Sequence, residues 1–252
     1  MKFKSYLLTE SRSKTLQEKE FIKLLKSDYT DAVKMLDKKN GIIYRGLNDD
    51  STFIITDPRK GKLRRSSNTS NEYTLLVDNL PEWKDYPKRS RSLICSTNNY
   101  YAKDFGSLRI VLPKNGANLG LCYREDFWDC FTEIFDWLHI PDMDTFNNSL
   151  RSIIGQDFDK NWPTLRKAIN QWDIEDIPFI PSEWKEIIET EGTLMKALRF
   201  LLDPKSNNFG RTKLGGDLPS HSEVWTDSPC ISIRVGSDIM KTIDYIKIVS
   251  ES

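Results

Sequence analysis

Apolar residues at Leu16, Phe21, Leu24, Leu25, Val33 and Leu36 recur at helical spacing with charged residues between them. The pattern predicts one helix over residues 15–38, opened by a capping box of Thr15 and Glu18 and closed by Asn40-Gly41. The pattern then shortens. Ile42-Ile43-Tyr44-Arg45-Gly46-Leu47, residues 91–98 and residues 108–112 read as strands bounded by turn residues. Asn98-Asn99 caps a helix over 100–105 that Gly106 stops, and residues 113–120 read as a turn. Helical stripes resume at Phe127, Phe131, Ile134, Phe135 and Leu138 and persist through Leu198 and Leu202. His139 ends the first of these helices as a cap or packing residue. A long loop over 206–222 leads into strands at Val224-Trp225 and 230–235, and Tyr245-Ile246-Lys247-Ile248-Val249 reads as a final strand.

Two positions stand out against this pattern. Arg45 sits inside an apolar strand, where an arginine requires a partner, either a carboxylate or a bound anion. Gly46 after it permits close approach by a ligand or another strand. Glu223 stands where the loop Gly215-Gly216-Asp217-Leu218-Pro219-Ser220-His221-Ser222 meets a strand. A carboxylate at a strand edge is either solvated or catalytic.

Composition narrows the classes. With Lys plus Arg and Asp plus Glu both at 37, there is no net charge to attract nucleic acid over the whole surface. Two local clusters remain. Arg59, Lys60, Lys62, Arg64 and Arg65 precede a Ser/Asn/Thr run that could hold phosphates, and Lys84, Lys88, Arg89 and Arg91 accompany Trp83 and Tyr86. No Walker loop or G-x-G-x-x-G occurs. Cys95, Cys122, Cys130 and Cys230 lack paired spacing and read as free thiols in a reducing cytoplasm, and a structural zinc site is not indicated. No apolar run approaches the roughly 20 residues of a membrane span.

Taken in order, Tyr44-Arg45-Gly46, Ser96-Thr97-Asn98 and Ser222-Glu223-Val224 resemble the Arg-Ser-Glu class of mono-ADP-ribosyltransferases, over residues 41–121 and 206–235. The resemblance implies NAD as substrate and no metal. It makes Arg45 the holder of an NAD phosphate and ribose, Ser96 the brace of the nicotinamide pocket, and Glu223 the catalytic carboxylate. Gly46, Thr97 and Phe105 join the implied NAD site, the last from the helix after Ser-Thr. Asn98 replaces the family's last serine, and His221 stands where the family has Gln or Glu to orient the acceptor, which leaves arginine transfer, another acceptor and NAD hydrolysis open. Leu8-Thr9-Glu10 resembles the cleavage signal of tailed-phage prohead proteases, and the Met-Lys-Phe opening resembles their capsid-targeting peptides. That implies a protein packaged in a virion and delivered to a bacterial cytoplasm.

The expectation is therefore an α+β protein with an ADP-ribosyltransferase-like core of two facing β-sheets and an inserted helical subdomain. Residues 1–14 form a terminal peptide, 15–123 and 205–252 the NAD-binding core, and 124–204 the insertion. The expected function is transfer of ADP-ribose from NAD to a macromolecule, with a host protein as acceptor and no membrane partner. The alternatives are a non-catalytic phage structural or interaction protein with the same fold, and a nucleic-acid-binding module that exposes Trp83 and Tyr86 on one basic face.

Overall fold

The computed structural model describes residues 13–60, 72–154, 161–172 and 182–252. The prohead-protease resemblance at Leu8-Thr9-Glu10, and Lys62, Arg64 and Arg65 of the first basic cluster, lie outside the described residues. Nine strands are described: β1 (Ser13–Thr15), β2 (Ile43–Leu47), β3 (Phe53–Thr56), β4 (Leu93–Ser96), β5 (Ser107–Pro113), β6 (Asn118–Cys122), β7 (Phe209–Lys213), β8 (Glu223–Thr226) and β9 (Cys230–Arg234). The described helices are α1 (Glu18–Asp28), α2 (Thr30–Met35), α3 (Glu72–Asn79), α4 (Asn99–Lys103), α5 (Thr132–Leu138), α6 (Met143–Ile154), α7 (Trp162–Gln171), α8 (Ser182–Glu191), α9 (Leu194–Leu201) and α10 (Ile239–Glu251). The fold is α+β, with one large antiparallel sheet.

The chain divides into two compact units, the first drawn from Met1–Arg64, Tyr86–Asp126 and Gly210–Ser252. Here the sheet runs β1-β3-β9-β5-β2-β4-β8-β6-β7. The expected pair of separate facing sheets is therefore corrected to one continuous sheet. Between β2 and β4 a single residue pair, Tyr44 opposite Ser96, is in register. By contrast, β2 pairs with β5 along its whole length, from Ile43 opposite Val111 to Leu47 opposite Ser107.

Phe21, Leu25 and Tyr29 pack with Ile43, Tyr44, Ile110, Leu112, Ile231, Ile243 and Ile246 in the core of this unit. Each such side chain contributes about 1.5–3 kcal/mol by leaving water. The Phe21 and Phe53 rings stack at 4.1 Å between centroids.

Four local expectations are corrected in this unit. Residues 15–38 are not one helix: Thr15 pairs in β1 and bonds Ser51 at 3.0 Å, so the capping box does not form, and the helix breaks at Tyr29. Residues 245–249 belong to α10, not to a strand. Ile239, Ile243 and Ile246 share a helical face, and the Asp238 side chain caps it at the Met240 amide. The turn at 113–120 gives way to β6 from Asn118, and the loop at 206–222 contains β7.

The second unit is drawn from Arg65–Asp85 and Phe127–Phe209. It is helical. Asn161 caps α7 and Thr193 caps α9 through backbone amides, and His139 closes α5 in the left-handed conformation (φ 49°). Trp83 is buried among Phe127, Phe131 and Phe209, with its indole N–H donating to the Leu202 carbonyl at 2.8 Å. That burial removes Trp83 from any exposed basic and aromatic face.

Cys95 and Cys230 are buried free thiols. Cys122 and Cys130 are not free thiols, against the reading of four free thiols. Among the described residues, no helix is long and apolar enough to cross a membrane.

Candidate active site

The three strands that hold the predicted site residues are neighbours in the sheet, in the order β2-β4-β8. Ser96 lies directly opposite Glu223, and Tyr44, which precedes Arg45, lies opposite Ser96. Strand alternation decides where the side chains point. Residues directly opposite one another in an antiparallel pair share a face, so Ser96 and Glu223 point to one side of the sheet, and Cys95 and Val224 to the other, in the core. Thus Ser96 and Glu223 share one side of the sheet, beside the single-pair join of β2 and β4. The Arg45 guanidinium donates to the Ile94 carbonyl of β4, the strand that also carries Ser96.

Glu223 departs from the edge position expected of it. Strand β8 is internal, between β4 and β6, and Glu223 is 7% exposed. Its Oε1 accepts from Arg89 Nη1 at 2.5 Å in a buried ion pair. The segment before β4 covers this face. Tyr86 stacks on Trp225, the Trp225 N–H donates to the Pro87 carbonyl at 2.9 Å, and the Arg89 guanidinium lies 5.5 Å from the Trp225 ring centroid. Arg89 is thus a site residue that the sequence offered only as one member of a basic cluster. Tyr86, expected exposed by the nucleic-acid reading, is occupied by this stacking.

Thr97 extends the alignment beyond the strands. Its amide donates to the Ser222 carbonyl at 2.9 Å, its hydroxyl donates to the Pro219 carbonyl at 2.9 Å, and the Ser222 amide donates back to that hydroxyl at 3.0 Å. These bonds clamp the loop that delivers Glu223. The Ser96 hydroxyl accepts from the Asn98 amide at 2.9 Å, and the Asn98 side chain caps α4 through the amides of Tyr100 and Tyr101.

Gly46 is needed for a close approach, and that approach is to protein backbone. A Cβ there would sit 2.1 Å from the Ala102 carbonyl oxygen of α4. Gly46→Ala is therefore expected to cost about 1–3 kcal/mol of stability by forcing α4 outward. Urea unfolding checks this, and an unchanged midpoint would contradict it. Phe105, after α4, is 58% exposed, its ring edge against Tyr101.

His221 adopts a left-handed backbone (φ 53°), uncommon for a residue with a side chain. Its Nδ1 lies 3.2 Å from Glu125 Oε1 and 3.1 Å from Asn98 Nδ2, and Asn98 Nδ2 donates to the same Glu125 oxygen at 2.5 Å. Glu125 carried no signal in the sequence, because it follows β6 in a loop with no motif.

Arg109 of β5 lies opposite Arg45 and is wholly buried, with Nη2 donating to the carbonyls of Asp49 and Ser51 at 2.7 and 2.6 Å. Burial lowers its pKa, and the charge of Asp49 opposes that shift. A cleft of about 570 Å³ is lined by Phe53, Arg234, Asp238, Lys241 and Tyr245, among others, and by none of Arg45, Ser96 and Glu223. Comparison with protein families, with curated proteins and with solved structures finds no match to this chain.

Proposed function

We propose that the protein transfers ADP-ribose from NAD to a macromolecular acceptor, a protein of an infected bacterial host, and releases nicotinamide. The observation that carries this reading is the placement of Arg45, Ser96 and Glu223 on three adjacent strands, with Ser96 directly opposite Glu223 and the Arg45 guanidinium donating to the β4 backbone at Ile94. The single-pair join between β2 and β4 supports an ADP-ribosyltransferase-like core, since it nearly divides the sheet in two beside these residues.

In this reading the Arg45 guanidinium holds the diphosphate and Ser96 braces the nicotinamide side. Breaking the nicotinamide–ribose bond develops positive charge on the ribose. Glu223 stabilises that charge through a ribose hydroxyl, with Oε2 as the contacting atom because Oε1 is engaged by Arg89. Thr97 holds the Glu223 loop in place through Pro219 and Ser222.

The direct test is incubation with NAD labelled in its ADP-ribose part, with and without a bacterial lysate. Nicotinamide release and label on protein are the expected results, and NAD left intact under both conditions would overturn the reading. Arg45→Ala is expected to weaken NAD binding about 10- to 100-fold, the value of a hydrogen bond to a charged group. Arg45→Lys recovers only part of this, because a lysine lacks the fork. Calorimetric titration measures both. Equal NAD affinity in folded wild type and Arg45→Ala would make Arg45 a structural residue of the sheet.

One observation favours a second reading. A carboxylate that is buried and ion-paired, as Glu223 is, also suits a protein that keeps the fold without turnover. Such a protein would bind NAD, or a fragment of it, and release no nicotinamide.

A further inference from the structure

Outside the three motif residues, Glu125, His221 and Asn98 form a hydrogen-bonded cluster. His221 stands two residues before Glu223, and its side chain is 72% exposed. The ring is held on one side only. Nδ1 faces the Glu125 carboxylate at 3.2 Å and the Asn98 amide nitrogen at 3.1 Å. Asn98 Nδ2 is itself a donor, and it spends a proton on Glu125 Oε1 at 2.5 Å. The ionised carboxylate is the stronger acceptor, so it takes the Nδ1 proton as well. That tautomer leaves Nε2 with a lone pair. Asn98 fixes the carboxylate, the carboxylate fixes the ring, and the left-handed backbone at His221 (φ 53°) fixes where the ring departs from the loop.

We infer that Glu125 and His221 form a base dyad that activates a neutral hydroxyl as the nucleophile in the proposed reaction; the inference rests on that reading. His221 is the base, and Glu125 is a positioning residue that sets its tautomer. The logic is that of any carboxylate–imidazole–nucleophile relay, in which the carboxylate orients and does not itself take the proton. In the step, the bond between ribose C1′ and the nicotinamide nitrogen breaks, and its electron pair leaves with nicotinamide. A bond forms between C1′ and the hydroxyl oxygen. The hydroxyl proton passes to His221 Nε2 and then to solvent.

The dyad selects the class of acceptor. A hydroxyl gives up its proton as the new bond forms, so a neutral imidazole accelerates its attack. A guanidinium nitrogen has no free lone pair and must lose its proton before it can attack, and that proton is held far too tightly for a neutral imidazole to remove. The hydroxyl is that of water, giving free ADP-ribose, or of a serine or threonine in a protein, giving a labelled acceptor.

The test uses the full chain, labelled NAD, and two peptides: one with serine and no arginine, one with arginine and no serine or threonine. Free ADP-ribose, labelled peptide and nicotinamide are measured separately. The expected wild-type result is at least tenfold more label in serine peptide and free ADP-ribose together than in arginine peptide. His221→Gln is expected to lower kcat for those products about 10²-fold with KM for NAD unchanged. Glu125→Gln is expected to lower kcat about tenfold or more, and Glu125→Asp to restore part of it. Preference for the arginine peptide, or unchanged kcat in His221→Gln and Glu125→Gln, overturns the dyad while leaving ADP-ribose transfer standing. A wild-type protein that releases no nicotinamide overturns the transfer reading, and the dyad with it.

Discussion

Arg89→Met is expected to lower the free energy of unfolding by about 3–5 kcal/mol, and the double variant Arg89→Met/Glu223→Leu to recover most of that loss. The basis is the burial of both partners. Arg89 and Glu223 are 6% and 7% exposed, and Nη1 meets Oε1 at 2.5 Å. Removing the arginine leaves a carboxylate in a site built to exclude water. Removing both charges leaves apolar side chains of similar volume, which often cost nothing. Methionine also keeps a flexible, polarisable contact with the Trp225 ring in place of the guanidinium. Denaturant unfolding of the wild type, both single variants and the double variant yields the coupling energy. The chain has two compact units, so agreement between fluorescence and circular dichroism must accompany each curve. An Arg89→Met protein as stable as the wild type would mean that the pair contributes nothing to the fold.

This pair marks where the sequence stops being legible. Strands β2, β4, β8 and β9 could be read because their β-branched and aromatic runs end in glycine, proline or small polar residues. The cap of α4 by Asn98 and the stop of α5 at His139 are local events and legible in the sequence. The strand expected at 245–249 is part of α10, because Ile246, Ile248 and Val249 look like a strand until the spacing back to Ile239 and Ile243 is counted. Which strands lie side by side is not a local property. The adjacency of β2, β4 and β8 entered the reading only through the resemblance, and the continuous sheet did not follow from it. Arg89 and Glu223 are 134 residues apart, and Glu125 and His221 are 96 apart. No window of sequence joins such partners. The basic cluster showed that Arg89 was charged, but nothing showed that it was buried.

The same geometry decides how Glu223 should be tested. Glu223→Ala removes the carboxylate, but it also leaves Arg89 as a buried charge without its counter-ion, so lost activity would be confounded with lost stability. Glu223→Gln is the sharper variant. The amide oxygen still accepts from Arg89 Nη1, and the side-chain shape is kept, while the negative charge is gone. If Glu223 stabilises the developing ribose cation, that charge matters far more in the transition state than in the NAD complex. Glu223→Gln is therefore expected to lower kcat for nicotinamide release by about 10²–10³, equivalent to about 2.7–4 kcal/mol, with KM for NAD nearly unchanged. Steady-state assay of nicotinamide release, beside an unfolding curve of the same preparation, separates the two effects. A folded Glu223→Gln protein with wild-type kcat would remove the carboxylate from the chemistry and leave it as the partner of Arg89. A parallel fall in kcat and stability would instead tie the loss to the fold.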